Sequence, residues 1–571
     1  MTSDVSDFDE THDVVVVGSG AGGMAAALTA AHAGLDVVVV EKTEAIGGST
    51  AVSGGALWVP LNPHLGEVGA SDSREAVLAY LQAILGNRMR RDMIEAFLEA
   101  GPRMVAFMEE NTSVSFVPRK VSPDYQPGLP GASLGGRTLD PLPFDGRELG
   151  EDFALLRPPF REFLAFGGMM VNRKDIDTLL GVGKSFANFR EGSKLLWRYA
   201  LDRLRHPRGT RLLMGNALAG RLLKSALDKG IALRLRSAAV ELLREGERVA
   251  GVMVESGGRR LRLGARRGVV LATGGFPGSA EMRSAMLPHA DRHLSMAPPG
   301  NSGDGLRLAL SAGAAIAADN IGNAFWAPVS VMRTQDGREI RFPHLILDRQ
   351  KPGLVAVNQA GRRFVNEANS YHDFVEAMHR SHESVPTIPA YLICDSRFLR
   401  TYGLGLVRPG PRPLRAFLAS GYLVKGKSIA ELAGKLGIEA AALADTVARM
   451  NAYARSGEDP EFGRGSNAYN RYLGDEQHKP NPCLGPIDKP PFYAVRVFPG
   501  DIGTAAGLKT DPQARVLDAH GAPIEGLFAC GNDMNSIMAG AYPGAGITLG
   551  PALTFGYIAG QQLALTEGNY R

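Results

Sequence analysis

Apolar and polar positions along the chain fall into short valine-rich runs and longer stretches with the spacing of amphipathic helices. The runs at 14–17 and 37–40 have the β-branched composition of strands that are buried on both faces. An alanine-rich segment between these two runs predicts a helix. A strand, a helix and a second strand in this order predict a βαβ unit, and therefore a parallel sheet.

The same pattern continues to the end of the chain and predicts its domain organisation. Helical spacing recurs at 72–110, 217–229, 306–313 and 428–453, and strand-like runs lie at 231–240, 249–254, 268–272 and 524–530. Since the last strand ends in glycine as the earlier ones do, we expect it to rejoin the first sheet. We predict an α/β fold with a discontinuous Rossmann-like domain, a parallel sheet with helices and an added β layer, over 1–280 and 487–571. An inserted α+β domain that caps the substrate is predicted over 281–486.

A glycine motif follows the first valine strand directly. Gly18, Gly20 and Gly23 match the G-x-G-x-x-G spacing, in which the glycines permit a tight turn, approach of a pyrophosphate and close helix packing. Glu41 ends the second strand 23 positions after Gly18, about where a carboxylate binds the ribose hydroxyls of a dinucleotide. A glycine turn in another kind of α/β protein is the alternative, and the βαβ context disfavours it.

Other glycine-rich segments offer further backbone donors to the same cofactor. Segment 43–55 holds two Gly-Gly pairs among small hydroxyl residues, which suits a second contact, whereas a flexible surface loop is the alternative. Segment 531–550 opens a closing helix, whose start again supplies N–H groups. We predict that FAD binds non-covalently at these residues: Gly18, Gly20, Ala21, Gly22, Gly23, Glu41, Lys42, Thr43, Gly47, Gly48, Ser49, Thr50, Ser53, Gly54, Gly55, Val240, Ala272, Thr273, Gly274, Asp304, Gly531, Asn532, Thr548 and Leu549.

Composition excludes several classes of protein. The formal net charge of +4 over 571 residues makes no case for nucleic acid. Cys394, Cys483 and Cys530 lie far apart, so neither a metal site nor a disulfide framework is predicted, and a reducing, cytoplasmic location is expected. The first residues are acidic without an apolar signal segment, and no stretch reaches the roughly 18 apolar residues of a transmembrane helix.

Two features bear on partners other than the substrate. Only one G-x-G-x-x-G has strand–helix context, so a second dinucleotide has no obvious site, and we expect electrons to leave to an external acceptor such as a quinone or dye. The basic, aromatic segment 197–211 suits peripheral contact with a membrane or partner. A solvated helix face is the favoured alternative for that segment.

Motifs around three tyrosines carry a family resemblance. Gly361-Arg-Arg-Phe-Val-Asn-Glu367 is followed four positions later by Tyr371, where dicarboxylate reductases have the arginine that donates a proton. Two further motifs complete the pattern: Asp124-Tyr125 with Gly135-Gly-Arg137, and Tyr542-Pro-Gly-Ala-Gly546-Ile-Thr548 continuing to Gly556. Over essentially its whole length the chain resembles the 3-ketosteroid Δ1-dehydrogenase (3-oxosteroid 1-dehydrogenase) family, within the FAD-dependent fumarate reductase/ketosteroid dehydrogenase superfamily.

The resemblance implies roles for four residues. The Tyr542 hydroxyl and the Gly546 N–H would hold the ketone oxygen as an incipient enolate, and one such donor is typically worth ~3–4 kcal/mol. Tyr371 would take the α-proton with help from Tyr125, and flavin N5 would take the hydride from the adjacent carbon. A free tyrosine has a pKa of about 10, so ~3 units, or about 4 kcal/mol, must be offset at neutral pH. A buried core phenol is the structural alternative for each tyrosine.

The implied reaction is Δ1-dehydrogenation of a 3-oxosteroid, a hydrophobic ring ketone. The alternatives that stay open are Δ4-(5α)-dehydrogenation, dehydrogenation of a small cyclic ketone, a fumarate-reductase-like reduction of an enoate or enone, and a non-catalytic flavoprotein. Because Tyr371 stands in place of an arginine, the carboxylate-reducing version is disfavoured.

Overall fold

A computed structural model describes residues 8–183, 185–317 and 319–565. Its strands are β1 (Glu10–Val17), β2 (Val37–Val40), β3 (Leu57–Trp58), β4 (Phe116–Pro118), β5 (Thr138–Pro141), β6 (Phe144–Asp145), β7 (Arg211–Leu212), β8 (Ala232–Arg234), β9 (Ser237–Glu245), β10 (Arg248–Ser256), β11 (Arg259–Leu271), β12 (Leu294–Ser295), β13 (Ala324–Arg333), β14 (Glu339–Pro343), β15 (Leu354–Val357), β16 (Ala390–Asp395), β17 (Leu423–Gly426), β18 (Phe492–Thr504), β19 (Arg515–Leu517) and β20 (Pro523–Ala529). Its helices are α1 (Ala21–His32), α2 (Arg74–Leu85), α3 (Arg91–Asn111), α4 (Arg173–Leu180), α5 (Phe186–Asp202), α6 (Met214–Asp228), α7 (Ala280–Met286), α8 (Asp304–Ser311), α9 (Tyr371–His382), α10 (Ser396–Tyr402), α11 (Arg415–Ala419), α12 (Ile429–Leu436), α13 (Ala440–Ser456), α14 (Ala468–Leu473) and α15 (Leu549–Leu565).

The larger sheet has the strand order β19-β20-β11-β1-β2-β8, with β1 parallel to both β2 and β11. The valines at 14–17 stand opposite those at 37–40, and each is at most 5% exposed, as expected for strands covered on both faces. β9 and β10 continue from β11 by antiparallel pairing and form the added β layer. The predicted α/β fold with a Rossmann-like parallel sheet is confirmed.

The two ends of the chain pack against each other. β20 pairs in parallel with β11, and α15 then lies along α1. A Cβ at Gly556 would lie 2.2 Å from the Gly22 carbonyl oxygen, and one at Gly560 would lie 2.6 Å from Thr29 Cβ. Glycine at these positions therefore lets the two helices approach closely enough to share one side of the sheet.

The predicted helical segments have counterparts in the structure, and two of them are each divided into two helices. The helix expected over 72–110 is split into α2 and α3, because α2 ends at Gly86, whose φ is +56°. The segments at 217–229 and 428–453 correspond to α6 and to the pair α12 and α13. Helical periodicity thus indicated the faces of these segments but not where the chain turns between them.

A second sheet has the strand order β14-β13-β18-β16-β15, with β12 and β17 also paired to β18. β18 begins at Phe492, beyond residue 486, and leads the chain back toward the larger sheet. The domain bounds at 281 and 486 stay a prediction. Helix α9 packs on β13, so this sheet supports the helix that begins with Tyr371.

Between β6 and β7 the chain makes an excursion that contains α4 and α5. Its inner side chains, including Phe153, Leu164 and Met170, form a small apolar core with α6, while many of its outer apolar side chains are exposed. No helix in the described part of the chain combines the length and apolarity that crossing a membrane requires.

Candidate active site

The turn between β1 and α1 can be made only by glycine. Gly18 has φ +109°, and a Cβ there would lie 2.2 Å from the Ala272 carbonyl oxygen. A Cβ at Gly23 would lie 2.2 Å from the Gly18 carbonyl oxygen, so strand and helix are in backbone contact. The turn presents the N-terminus of α1, with Gly20 at its N-cap and Ala21 and Gly22 in its first turn, to the edge of the sheet.

Segment 43–55 wraps this helix N-terminus. The Thr50 hydroxyl accepts a hydrogen bond from the Ala21 N–H at 2.9 Å, and the Gly47 N–H donates to the Ser19 hydroxyl at 3.1 Å. The Ser49 hydroxyl accepts from the Asn301 amide at 2.9 Å. The remaining predicted residues of the segment lie along the same path, where Gly48 faces Gly20 and Ser53, Gly54 and Gly55 run past the start of α6.

Glu41 lies at the carboxyl end of β2 and is 8% exposed. Its carboxylate accepts from the Ser19 hydroxyl at 2.6 Å and from the Thr43 hydroxyl at 2.9 Å. The next residue, Lys42, forms an ion pair with Asp304 at the start of α8. Burial opposes ionisation of Asp304, but Lys42 outweighs it and holds the pKa of that carboxyl below its usual value.

The opposite side of this site is made by the ends of β11 and β20. Asp533, which is fully buried, accepts from the Thr273 hydroxyl and the Gly275 N–H, each at 2.9 Å. Burial raises the pKa of Asp533. The sequence analysis missed this carboxylate, although its position directly after Gly531 and Asn532 was a usable signal.

A cleft runs from these residues toward the second sheet. It is lined by Gly531, Asn532 and Thr548, and by Phe325 of β13. Leu549 begins α15 beside it, and Gly274 has φ +91° next to Asn301. Val240 is 40% exposed and lies on β9, whose first residue, Ser237, donates its N–H to the Glu41 carbonyl at 3.0 Å.

The backbone N–H groups, the buried carboxylate and the cleft described above suit the parts of FAD. Gly18 and Gly23 let strand and helix meet closely, and Gly20 at the N-cap leaves the helix N-terminus without a side chain, which suits an anionic pyrophosphate. A buried carboxylate at the end of β2 suits ribose hydroxyls, and the cleft beside Gly531 and Phe325 suits a flat ring. These contacts with FAD remain predictions residue by residue.

Three tyrosines from distant parts of the chain meet beside the cleft. The Tyr125 hydroxyl donates to the Tyr371 oxygen at 3.1 Å. The ring of Tyr542 stacks on that of Tyr125 with centroids 5.2 Å apart, and it meets the Tyr371 ring edge-on at 5.2 Å. All three side chains are at most 7% exposed. The structure therefore brings together the residues that the motifs singled out.

Hydrogen bonds fasten the Tyr125 loop to the C-terminal motif. The Tyr125 N–H donates to the Pro543 carbonyl at 2.9 Å, and the Tyr80 hydroxyl donates to the same oxygen at 2.7 Å. The Asp124 carboxylate accepts from Arg137 at 2.7 Å and from the Trp58 indole at 2.9 Å. The aspartate and arginine of the loop motif thus hold the loop closed, while its tyrosine faces the site.

Tyr371 is held by the motif that precedes it. Glu367 is fully buried and pairs with Arg363 at 2.8 Å and with Arg464 at 3.0 Å. Ser370 then caps α9 by accepting from the Asp373 N–H. Because removing one member of such a buried network leaves a charge unpaired, the motif fixes the start of the helix that carries Tyr371.

Gly546 lies at the entrance to α15 with φ +102°. A Cβ there would lie 2.5 Å from the Ala56 carbonyl oxygen. Its carbonyl accepts from the N–H groups of Trp58 and Gly550, each at 3.0 Å. The Ala545 carbonyl, which shares a peptide plane with the Gly546 N–H, accepts from the Thr138 hydroxyl at 3.3 Å, and this bond helps to fix the direction of that N–H.

The site has a low polarity that opposes ionisation. Burial raises the pKa of Tyr371 well above 10, and it raises the pKa of Tyr125 to about 12 and that of Tyr542 further. The phenols are therefore protonated at neutral pH in the free protein. The neighbouring His372 accepts a hydrogen bond through Nδ1 from the backbone N–H of Trp326 at 3.1 Å.

Comparisons with known proteins agree with this geometry. The family "FAD binding domain" matches residues 13–549. The chain is 42% identical to 4-oxocyclohex-2-ene-1-carboxylate 5-dehydrogenase of Sinomonas cyclohexanicum, covering 97% of this chain and 93% of that protein. It is 39% identical to 3-oxosteroid 1-dehydrogenase of Mycobacterium tuberculosis, covering 97% and 99%.

A solved structure shows the same fold over the whole chain. It is the crystal structure of 3-ketosteroid delta1-dehydrogenase from Sterolibacterium denitrificans in complex with 1,4-androstadiene-3,17-dione. The TM-score is 0.90 at 40% identity, covering 98% of this chain and 100% of that one. The predicted family, fold and cofactor are confirmed: the chain is an FAD-dependent oxidoreductase that belongs to the 3-ketosteroid Δ1-dehydrogenase family.

Proposed function

We propose that the protein introduces a C=C bond next to a ring ketone, and that its reaction is Δ1-dehydrogenation of a 3-oxosteroid. The observation that carries the proposal is the Tyr125–Tyr371 hydrogen bond of 3.1 Å inside a buried aromatic site. At the position where the dicarboxylate reductases have an arginine, this chain has a tyrosine. Its phenol carries no positive charge and suits proton transfer with a neutral ketone. The 3-oxosteroid relative and the steroid-bound structure support the substrate class.

Each group has one role in the proposed reaction. The Tyr542 hydroxyl and the Gly546 N–H hold the ketone oxygen, which makes the α-proton more acidic. The Tyr371 oxygen, after losing its own proton to solvent, takes the α-proton and becomes a neutral phenol again. The Tyr125 O–H donates to the same oxygen and stabilises its ionised form. FAD, when bound, supplies the acceptor for the hydride that leaves the neighbouring carbon.

A small cyclic ketone is the second candidate substrate, favoured by the 42% identical relative that acts on an oxocyclohexenecarboxylate. A substrate carboxylate needs a free cation. Arg119, whose charge acts on Tyr125, is already engaged, because it binds both oxygens of Asp140 at 2.7 Å. This arrangement favours a substrate that is neutral at its far end.

The proposal is tested by anaerobic bleaching of the purified yellow protein. The panel contains 3-oxosteroids with and without a Δ4 bond, 5α-steroids, 4-oxocyclohexanecarboxylate and unsubstituted cyclohexanone. We expect rapid bleaching by 3-oxosteroids, with a product 2 mass units lighter and its new bond at C1–C2. A new bond at C4–C5, or bleaching by the carboxylate alone, would contradict the steroid Δ1 assignment.

We further propose a cytoplasmic protein that passes electrons to an external quinone-like acceptor. The three cysteines are unpaired and buried, which suits a reducing compartment. Reoxidation of the bleached protein by a soluble quinone, but not by NAD⁺ or NADP⁺, is the expected result. Rapid reoxidation by either nucleotide would contradict it.

We also propose peripheral contact with a membrane through the excursion between β6 and β7. Phe186, Trp197 and Leu204 are 80%, 70% and 79% exposed, and basic side chains such as Arg190 and Lys194 lie among them. Aromatic and basic groups on one helix suit an anionic lipid surface. Sedimentation with phosphatidylglycerol vesicles, lost in Trp197→Glu and kept in Glu281→Gln on α7, is the expected result; equal sedimentation of both would contradict it.

A further inference from the structure

The tyrosine cluster contains a fourth member that no motif indicated. Tyr469 lies on the short helix α14 and is 3% exposed. Its ring centroid is 4.7 Å from that of Tyr125, nearer than either Tyr371 or Tyr542 is to Tyr125. Tyr125 is therefore enclosed by three other phenols.

The hydroxyl of Tyr469 is buried, and within the described residues it has no hydrogen-bond partner at good geometry. Leaving a buried hydroxyl unpaired costs free energy, so native proteins keep few of them. Packing alone would be served as well by phenylalanine. A polar atom retained here needs a role that involves its neighbours.

The position of Tyr469 is tied to that of Tyr371. The Asn470 side-chain oxygen accepts from the Asn366 amide at 2.9 Å, and the Asn470 amide donates to Asn369 at 3.1 Å. Asn366 and Asn369 belong to the segment that leads directly into α9. One hydrogen-bonded unit therefore holds both Tyr469 and Tyr371, and the rings of both contact the ring of Tyr125.

We propose that Tyr469 is a positioning residue whose O–H donates to the Tyr125 oxygen and so completes a chain of hydroxyls from Tyr469 through Tyr125 to Tyr371. The inference rests on the proposed function, in which the Tyr371 oxygen holds negative charge before it takes the substrate proton. Successive donors polarise one another, so a second O–H strengthens the bond that Tyr125 makes to Tyr371. Tyr469 neither touches the substrate nor exchanges its own proton.

Charges and hydrogen bonds act differently on the members of the cluster: the Tyr469 hydroxyl lowers the pKa of Tyr125, whereas Tyr125 and Tyr542 add to the burial that raises the pKa of Tyr371. Burial raises the pKa of Tyr125, and the hydroxyls of Tyr371 and Tyr469 and the charge of Arg119 oppose that rise. The titratable or charged groups that act on Tyr469 itself are Tyr125, Arg349, Asp373 and Tyr542. Arg349 makes ionisation easier and the other three make it harder.

The test is Tyr469→Phe, which keeps the ring and removes the hydroxyl. We expect the rate of anaerobic flavin reduction by a 3-oxosteroid to fall about tenfold, with the KM changed less than twofold. The alkaline rise of that rate should move to higher pH. Tyr391→Phe is the control, because Tyr391 is another buried tyrosine whose hydroxyl bonds to a backbone carbonyl in a separate core.

A double-variant cycle separates this role from a structural one. If Tyr469 acts through Tyr125, the double variant Tyr125→Phe/Tyr469→Phe should be no slower than Tyr125→Phe alone. Additive losses, or a Tyr469→Phe variant with the parent's rate and pH profile, would overturn the inference. FAD content and the melting temperature verify that each variant is folded.

Failure of the inference and failure of the proposed function have different signatures. If ring ketones bleach the parent protein and Tyr371→Phe abolishes bleaching, the function stands whatever Tyr469→Phe does. If no ring ketone bleaches the parent protein, the proposed function itself is wrong, and the role assigned to Tyr469 is wrong with it.

Discussion

The FAD site and the tyrosine cluster are built in opposite ways. The FAD site consists mainly of backbone at the ends of strands and of positions where a Cβ would collide, such as Gly18 against Ala272. The cluster consists of side chains, and Tyr125, Tyr371, Tyr469 and Tyr542 come from four separate segments. The predicted FAD site therefore depends on the absence of side chains at its glycines, whereas the tyrosine cluster depends on where bulky side chains meet.

This difference determines which substitutions each site tolerates. At Gly18, Gly23 and Gly55 of the predicted FAD site an added Cβ meets backbone, which cannot move aside, so substitutions there act on binding and folding together. In the cluster, replacing a phenol by a phenyl ring preserves packing, so substitutions act on chemistry alone. The following experiments are ordered from the largest expected effect to the smallest.

Gly18→Ala is expected to have the largest effect on the FAD site. The new Cβ would lie 2.2 Å from a backbone oxygen at φ +109°, and the steric and conformational costs together reach about 3 kcal/mol or more. We expect most bound FAD and several degrees of melting temperature to be lost. Gly34→Ala is the control, since Gly34 also has positive φ (+84°) but has no atom within 4 Å of its built Cβ. Equal losses in both variants would show that φ alone matters.

Tyr371→Phe is expected to keep FAD and lose turnover. Removing a general base typically costs about 10²–10⁴-fold, and this hydroxyl accepts the bond from Tyr125. The measurements are the flavin absorbance of the purified variant and its rate of anaerobic reduction in stopped flow. A rate within a few-fold of the parent protein would remove Tyr371 from the role of base.

Tyr542→Phe is expected to reduce turnover by about 10²-fold, because one donor to the enolate oxygen is lost. Its ring stacks on Tyr125 at an interplanar angle of 7°, and phenylalanine preserves that contact. Steady-state rates with one 3-oxosteroid are sufficient to measure the loss. An unchanged kcat would leave Gly546 as the sole donor to the ketone oxygen.

The pH dependence of the parent protein gives a smaller, graded effect. Burial raises the pKa of Tyr371 above 10, so its ionised fraction is small at neutral pH and grows about tenfold per pH unit below that pKa. We therefore expect the flavin reduction rate at saturating substrate to rise steadily from pH 7 toward pH 10. A plateau reached below pH 8 would mean that another group sets the protonation state.

Sequence reasoning predicted the glycine turn and the acid at the end of β2 more completely than the tyrosine cluster. Each residue of the G-x-G-x-x-G turn acts at its own position, so spacing along the chain contains the information. A site role for Asp533 was not predicted, because its partners, Thr273 and Gly275, are some 260 positions away in the sequence. A role for Tyr469 was not predicted, because nothing in its local sequence distinguishes it from a tyrosine of the hydrophobic core.

The sequence by itself determined the parallel sheet, the glycine turn, the acid at the end of β2 and the motifs that contain three tyrosines. These features depend on local periodicity and backbone sterics, which neighbouring residues specify. The tertiary structure alone decided that the Tyr125 hydroxyl meets Tyr371, that a fourth phenol encloses them, and that the site is apolar enough to keep them protonated. Distances and burial arise from packing between segments far apart in the chain, and no single segment encodes them.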